Sequence, residues 1–232
     1  MKRGISLLIS VFFLITFTML FQAHFLDKRY GVHSPIPGCP WCEDKGLDED
    51  VVYVPLNASI MRLISPADPD LIADLLWIRT AYYFGRHALT DREYPYLLHL
   101  LDLITDLSPE WNLPYFFGAV ILPTEAKQEK DGFYLIEKGL KYHPDDWQLW
   151  FFKGFYLWKS RGDVLSAARA LHKASLLPGS PVYLARLSAT LATRAGQQEL
   201  AMRFIEQALR NAHDPVHRKI LFEKLREVTG DG

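Results

Sequence analysis

This 232-residue sequence has few of the features that mark an enzyme or a nucleic-acid-binding protein. Its 26 basic and 27 acidic residues give a net charge of -1, and no run of lysine and arginine exceeds two residues. Binding to phosphate backbones needs a basic surface, so the charge balance argues against that class. A glycine-rich phosphate loop, His-Glu-x-x-His and Gly-x-Ser-x-Gly are absent from the sequence. We therefore expect a protein that is not an enzyme and has no cofactor.

Cysteine is also scarce, because the chain has two, and two cannot hold a disulfide-rich scaffold. They lie together as Cys39-Pro40-Trp41-Cys42. This spacing can close a local disulfide, exchange disulfides or supply half of a tetrahedral zinc site. Zinc needs two further ligands, and His33 is the one histidine nearby. We favour a structural disulfide and expect no metal site, with a thiol redox role as the alternative.

What is present is typical of a folded chain. The sequence is 49% hydrophobic, 13% aromatic and 23% charged, a composition that argues against intrinsic disorder. Its length suits one compact domain with an appendage, or a row of small repeats.

Residues 4–26 contain no aspartate, glutamate, lysine or arginine, and residues 5–21 are almost wholly apolar. As a helix, 23 residues would be roughly 34 Å long, enough to cross a bilayer. A cleaved signal peptide is the alternative, but Phe21-Gln22-Ala23 makes a poor cleavage site. We predict a transmembrane anchor over residues 1–26. The short N-terminus favours N-inside, with the rest of the protein extracytoplasmic, and a cytoplasmic body is the other topology.

Prolines and glycines are frequent from residue 27 to residue 66, and helical periodicity is not sustained there. This segment, which contains the cysteine pair, is predicted to be an extended tether.

The rest of the sequence repeats with a period of 34 residues. One set of four positions recurs at this displacement: Gly162, Ala167, Leu171 and Ala174 return as Gly196, Ala201, Ile205 and Ala208. Pro144 and Pro178 are also 34 residues apart. A period of this length indicates stacked helix pairs, because one pair cannot bury its own apolar faces.

Several of these positions resemble the tetratricopeptide repeat (TPR) family. Trp150 and Gly154 match its first-helix positions, the alanines and leucine just named match its second helix, and Pro178 matches its terminator. The resemblance implies an all-α, right-handed solenoid of about four helix pairs over residues 67–213, closed by a capping helix over 214–232. On that helix, Val216, Ile220, Leu221 and Leu225 are predicted to share the apolar face.

Glycine inside these helices carries a further prediction. Gly132 and Gly139 each destabilise a helix by about 1 kcal/mol relative to alanine, so we expect another helix to approach closely at both. The segment from Pro123 to Asp131 is predicted to be a loop.

The resemblance also implies that the first helix of each pair lines a groove that binds a protein or peptide. Eight residues are the predicted groove residues: Arg79, Tyr82, Arg86, Phe116, Val120, Phe151, Phe155 and Trp158. The fourth pair would add Ala185, Ala189 and Ala192. Such a groove is apolar with a basic end, which suits a helical or aromatic-rich peptide.

These patterns predict a scaffold anchored in the inner (cell) membrane by residues 4–26, with its soluble part periplasmic or otherwise extracytoplasmic. It would bind a protein or peptide of a membrane-associated complex, such as a pilus, secretion or export system, and no nucleic acid. A thiol redox protein or redox-regulated adaptor that uses Cys39 and Cys42 is the alternative.

Overall fold

The computed structural model describes residues 57–64 and 68–230, together with five single positions between residues 12 and 20. The described part is all-α and repeat-like. Its helices, numbered in chain order, are α1 (Ala58–Ile64), α2 (Pro69–Leu89), α3 (Leu97–Leu107), α4 (Asn112–Thr124), α5 (Glu129–Tyr142), α6 (Trp147–Lys159), α7 (Val164–Ser175), α8 (Tyr183–Arg194), α9 (Gln198–Asn211) and α10 (Pro215–Thr229).

Aspartates start several helices by accepting hydrogen bonds from backbone N–H groups of the first turn, which has no intrahelical acceptors. Asp146 accepts from Gln148 and Leu149, and the same role falls to Asp68, Asp163 and Asp214. Pro69 and Pro215 occupy first-turn positions, where a missing N–H carries no penalty. These local signals fix where α2, α6, α7 and α10 begin.

The helices form four successive pairs, α2 with α3, α4 with α5, α6 with α7 and α8 with α9. Short connections join the two helices of each pair, and each pair also packs against the next. The last helix, α10, packs against both α9 and α8. All-α architecture is therefore confirmed, and it is built from repeated units.

Residues that are 34 apart have the same environment. Gly162 and Gly196 both adopt positive φ, at 67° and 72°, in the turn between the helices of their pairs. Positive φ is a conformation that glycine adopts without strain. The alanines and aliphatic residues that follow are buried in both pairs: Ala167, Leu171, Ala174, Ala201, Ile205 and Ala208. The sequence period therefore corresponds to a structural period.

Hydrogen bonds join equivalent positions of neighbouring pairs. The Asn112 amide donates to the Asp146 carboxylate, 34 residues away. Nε2 of His143 donates to the backbone oxygen of Pro109 over 3.1 Å, at the same separation. Because both bonds run between the starts of α4 and α6, they fix the step from one pair to the next.

The predicted close approaches at glycine are confirmed. A methyl group added at Gly139 would lie 2.9 Å from Cδ1 of Leu149 and 3.1 Å from the ring of Tyr115. At Gly132 it would overlap the ring of Pro123. At both glycines the added methyl group would lie closer to its neighbours than ordinary van der Waals contact. The neighbouring helices can therefore pack this closely only because the glycines have no side chain.

The loop predicted between α4 and α5 was wrong in extent, and the apolar face predicted for α10 was correct in part. Pro123 lies inside α4, which continues to Thr124, so the predicted loop from Pro123 is four residues long instead of nine. On α10, Leu221 is buried and Leu225 packs against the core, as predicted, whereas Val216 is exposed and Lys224 and Val228 complete the buried face.

The N-terminal part of the prediction is only partly within the described residues. Residues 58–64, placed in the extended tether, form α1, whose Met61 packs against α3. The cysteine pair lies outside the described residues, as does most of the predicted anchor. None of the helices searched in the described part is long and apolar enough to cross a membrane.

Candidate partner-binding face

The first helices of the first three pairs lie side by side and are joined by aromatic rings. The Phe117 ring on α4 makes edge contacts with Trp77 and Phe84 on α2, with ring centres 5.3 and 5.2 Å apart. On the other side of α4, Phe116 contacts Phe152 of α6, with centres 5.6 Å apart. A row of ring contacts therefore connects α2, α4 and α6.

The row continues along α6. The Phe151 ring lies 5.3 Å from that of Phe152 and 6.2 Å from that of Phe155. Phe151 also packs against the core formed by α7, α8 and α9 and is half-buried. Phe155 exposes 36% of its surface. Of the two phenylalanines of α6 predicted for the groove, Phe155 is therefore the more accessible, and Phe151 contributes more to the core.

We call the outer surface of α2, α4 and α6, on the side turned away from their second helices, the first-helix face. Tyr82 is its most exposed aromatic, with 72% of its surface accessible. Leu113 on α4 is exposed and Val120 is half-buried. Leu113 was not predicted, because an isolated leucine at the start of a helix does not differ from a core residue in sequence.

Other predicted groove residues have structural contacts. Phe116 lies between α4 and α6, as its contact with Phe152 shows. Trp158 is half-buried against the core of the last two pairs, and the Lys159 ammonium lies 4.1 Å from its ring centre. Arg79 is half-buried and Arg86 exposed, both on α2. The two predicted arginines therefore both lie at the α2 end of the first-helix face.

The fourth pair does not extend the apolar surface as predicted. Ala185, Ala189 and Ala192 are buried in the core with α7 and α9. The exposed residues of α8 include Arg186 and Thr193. The alanines are covered because α7 and α9 pack against α8 on both sides and α10 also contacts it. At the fourth pair, Tyr183 at the start of α8 is exposed together with the polar Arg186 and Thr193, so the exposed surface there is mixed.

A buried lysine links α3 to α5 and was not predicted. Nζ of Lys138 lies 2.6 Å from a carboxylate oxygen of Asp102 and 2.6 Å from one of Asp106. The hydroxyl of Tyr134 donates to Asp102 over 2.9 Å. Burial, followed by this bond, raises the pKa of Tyr134 to about 12. Opposite charges this close hold the second helices of neighbouring pairs together. The role of this lysine–aspartate cluster is therefore structural.

His172 is the other buried polar group at a junction between pairs. Its ring stacks on Phe204 with centres 3.8 Å apart, and its Nε2 bonds the side-chain oxygen of Gln207 over 3.0 Å. The Gln207 oxygen can only accept, so Nε2 carries the proton. Burial lowers the pKa of His172 despite that bond, which keeps the imidazole neutral. His172 therefore packs as a neutral side chain between α7 and α9.

Metal chemistry has no candidate in this part of the chain. Among the described residues, no three histidine, cysteine, aspartate or glutamate side chains are grouped so as to hold an ion. The remaining candidate surface is therefore the first-helix face.

Comparison with known proteins gives this chain no family. No protein-family model matches the sequence, and no curated protein matches it.

Proposed function

We propose that this protein is a membrane-anchored scaffold with TPR-like helix pairs, which binds a protein partner through the first-helix face. The observation that carries the proposal is the exposed apolar surface on α2, α4 and α6. Soluble proteins seldom retain a contiguous surface of this kind unless a partner covers it.

The chemistry of this surface favours one type of ligand. Aromatic and aliphatic side chains with accessible edges suit an amphipathic helix or an aromatic-rich segment, whose apolar side chains would pack between Leu113 and Phe155. Arg86, at the α2 end, would select a segment with an acidic flank. The proposed partner is therefore an apolar or aromatic segment followed by acidic residues.

The proposed location rests on the sequence. With residues 4–26 as a transmembrane helix and residues 27–56 as a tether, the helix pairs would be held near the inner membrane, in the extracytoplasmic space. A scaffold placed there would support the assembly of a cell-envelope complex. The stacked helix pairs support a binding role, because they offer an extended surface.

The test compares three full-length variants in detergent-solubilised membranes. Leu113→Ala with Phe155→Ala removes the two exposed side chains of α4 and α6, and truncating the centre of an interface weakens binding by about 2 kcal/mol or more. We expect the variant to keep its helical circular dichroism and thermal midpoint, and to lose the proteins that co-purify with the wild type.

Phe222→Ala is the matched control, because Phe222 is an exposed aromatic on α10, at the other end of the chain. It should retain the partner. Phe151→Ala is the structural comparison and should lower the thermal midpoint, since Phe151 packs against the core. A folded Leu113→Ala/Phe155→Ala protein that captures the same partners as the wild type would contradict the proposal.

A further inference from the structure

Helix α2 has an apolar stripe that nothing in the described structure covers. Five large side chains expose between 53% and 86% of their surface: Leu71, Leu75, Ile78, Tyr82 and Leu89. The opposite face of α2 is buried and carries Ala73, Leu76, Thr80, Tyr83 and His87. We call the five exposed residues the α2 stripe. The helix therefore has two apolar faces, of which the core uses one.

The spacing of the α2 stripe is that of a two-stranded coiled coil. Its members follow one another at intervals of four, three and four residues, and Gly85 fills the next position before Leu89. Alternating intervals of three and four keep apolar residues on one seam that faces a single partner helix. The 21 residues of α2 extend over roughly 31 Å, about three heptads. The stripe therefore matches one long helix lying along α2.

A second α2 is the partner that the chain itself provides. On the other described helices of the body, large exposed apolar side chains occur singly or in twos, as on α10. None of those helices repeats the alternating intervals of the α2 stripe. Two copies of one stripe can form a closed, twofold-symmetric interface, which is the commonest form of self-association.

Charge decides the direction of the pairing. In the heptad set by the stripe, Asp74 precedes Leu75 and Arg79 follows Ile78. These flanking positions, five residues apart, face each other between parallel helices. A parallel pair places Asp74 of each copy beside Arg79 of the other, twice by symmetry. An antiparallel pair with the same apolar layers would place the two Arg79 side chains opposite each other.

We propose that two copies of this chain form a parallel dimer through the α2 stripe. Gly85 fits this arrangement, because a methyl group added there meets nothing within 4 Å. Leu71, Leu75 and Ile78 form the apolar layers on the N-terminal side.

This dimer goes beyond the proposed function and can be tested separately from it. Tyr82 and Arg79 would lie in the dimer interface, which leaves the α4 and α6 parts of the first-helix face for the other partner. Leu113 and Phe155 are outside the α2 stripe. A protein that dimerises but captures no partner would contradict only the proposed function, and the reverse result would contradict only the dimer.

The first experiment uses disulfide cross-linking of the full-length protein in native membranes. With Cys39 and Cys42 replaced by serine, single cysteines are introduced by Leu71→Cys, Ile78→Cys or Leu89→Cys. A disulfide forms when two Cα atoms are about 4.4–6.8 Å apart, so each position should cross-link to itself in a parallel dimer. An antiparallel pair would leave Leu71→Cys and Leu89→Cys uncross-linked.

Arg169→Cys, at an exposed position on α7, is the matched control and should stay monomeric. Absence of cross-linking at all three stripe positions would overturn the dimer. Cross-linking at Ile78→Cys alone would overturn its parallel direction.

The second experiment exchanges the charges. Asp74→Arg and Arg79→Asp should each weaken dimerisation by about tenfold, as expected for two symmetric rim pairs, and the double variant should restore it. Residues five apart do not face each other on one helix, so a rescue of this kind reports contact between copies. Single variants that dimerise as strongly as the wild type would overturn the proposed pairing of charges.

Leu75→Lys with Ile78→Lys places charges in the apolar layers and should abolish the dimer while the helical circular dichroism is kept, since both side chains are exposed. Phe222→Lys on α10 is its control and should dimerise normally. A folded Leu75→Lys/Ile78→Lys protein that remains dimeric would show that the α2 stripe is not the interface. If that variant fails to fold, the charge exchange decides.

Discussion

Pro123, in the last turn of α4, leaves one backbone carbonyl of that helix without its usual hydrogen-bond donor. A side chain of the next helix pair donates to that carbonyl instead. Proline has no N–H, so the carbonyl of Ala119, four residues earlier, loses its helical donor. The buried hydroxyl of Tyr156 on α6 donates to that carbonyl over 3.0 Å. We predict that Tyr156→Phe leaves the Ala119 oxygen buried and unpaired, which destabilises the protein by about 1–3 kcal/mol.

A double-mutant cycle isolates this cause. In Pro123→Ala the new N–H of residue 123 can donate to Ala119, so Tyr156→Phe should then be less destabilising by about 1 kcal/mol. Tyr142→Phe, which removes an exposed hydroxyl, is the control and should have little effect. The assay is urea unfolding of the full-length chain followed by circular dichroism. If Tyr156→Phe lowers the free energy of unfolding equally in the wild type and in Pro123→Ala, the proposed role of this hydrogen bond is refuted.

The same hydroxyl makes stability depend on alkaline pH. Burial, aided by the Glu129 carboxylate, raises the pKa of Tyr156 to about 12 from its ordinary 10.0. Since the folded state holds the proton more tightly, this stabilisation is complete below pH 10.0 and is lost as the pH rises toward 12. Tyr156→Phe should therefore make the alkaline decline in the free energy of unfolding shallower, as measured by urea unfolding between about pH 8 and pH 11; an unchanged decline would contradict this role of the hydroxyl.

The remaining predictions concern packing between helices. Gly154→Ala should destabilise by about 1–3 kcal/mol, because its methyl group would lie 2.7 Å from Cγ of Leu171. Gly85→Ala, at a position with no neighbouring atoms, should stabilise the protein by about 0.5–1 kcal/mol. A higher thermal midpoint for Gly154→Ala than for Gly85→Ala would contradict this description of the packing. Lys138→Met should destabilise by roughly 1–2 kcal/mol, because it removes the cation between two partly exposed aspartates of α3. An unchanged unfolding midpoint for Lys138→Met would show that this ion cluster contributes nothing.

The repeat could be predicted because its signals are local or strictly periodic. The aspartate that begins α7 and the glycine that ends the turn before it act within a few residues of the chain. Equivalent residues such as Ala167 and Ala201 then recur after 34 residues and are buried in both pairs. The family resemblance, the anchor and the role of the cysteine pair stay predictions.

The candidate site was predicted less well, because exposure depends on what packs against each face. Ala185 and Ala189 are small residues at first-helix positions and were predicted to line the groove, but α7 and α9 pack against α8 on both sides. Phe151 and Phe155 are four residues apart on one helix, yet Phe151 reaches the core of the next pair and Phe155 is exposed. Sequence spacing shows which residues share a face and does not show which neighbour covers it.

Two glycines, Gly85 and Gly154, show most clearly which features of this protein the sequence determined and which ones only the tertiary structure decided. Composition, caps and the 34-residue period by themselves determine an all-α chain of helix pairs, because these depend on backbone hydrogen bonds and side-chain periodicity. The sequence presents Gly85 and Gly154 alike, each within two residues of an aromatic run on a first helix. In the folded chain Gly154 is pressed against Leu171, whereas Gly85 lies on the open face of α2. The difference arises because the rotation of a helix about its axis is set by the packing of its neighbours, which no local pattern encodes.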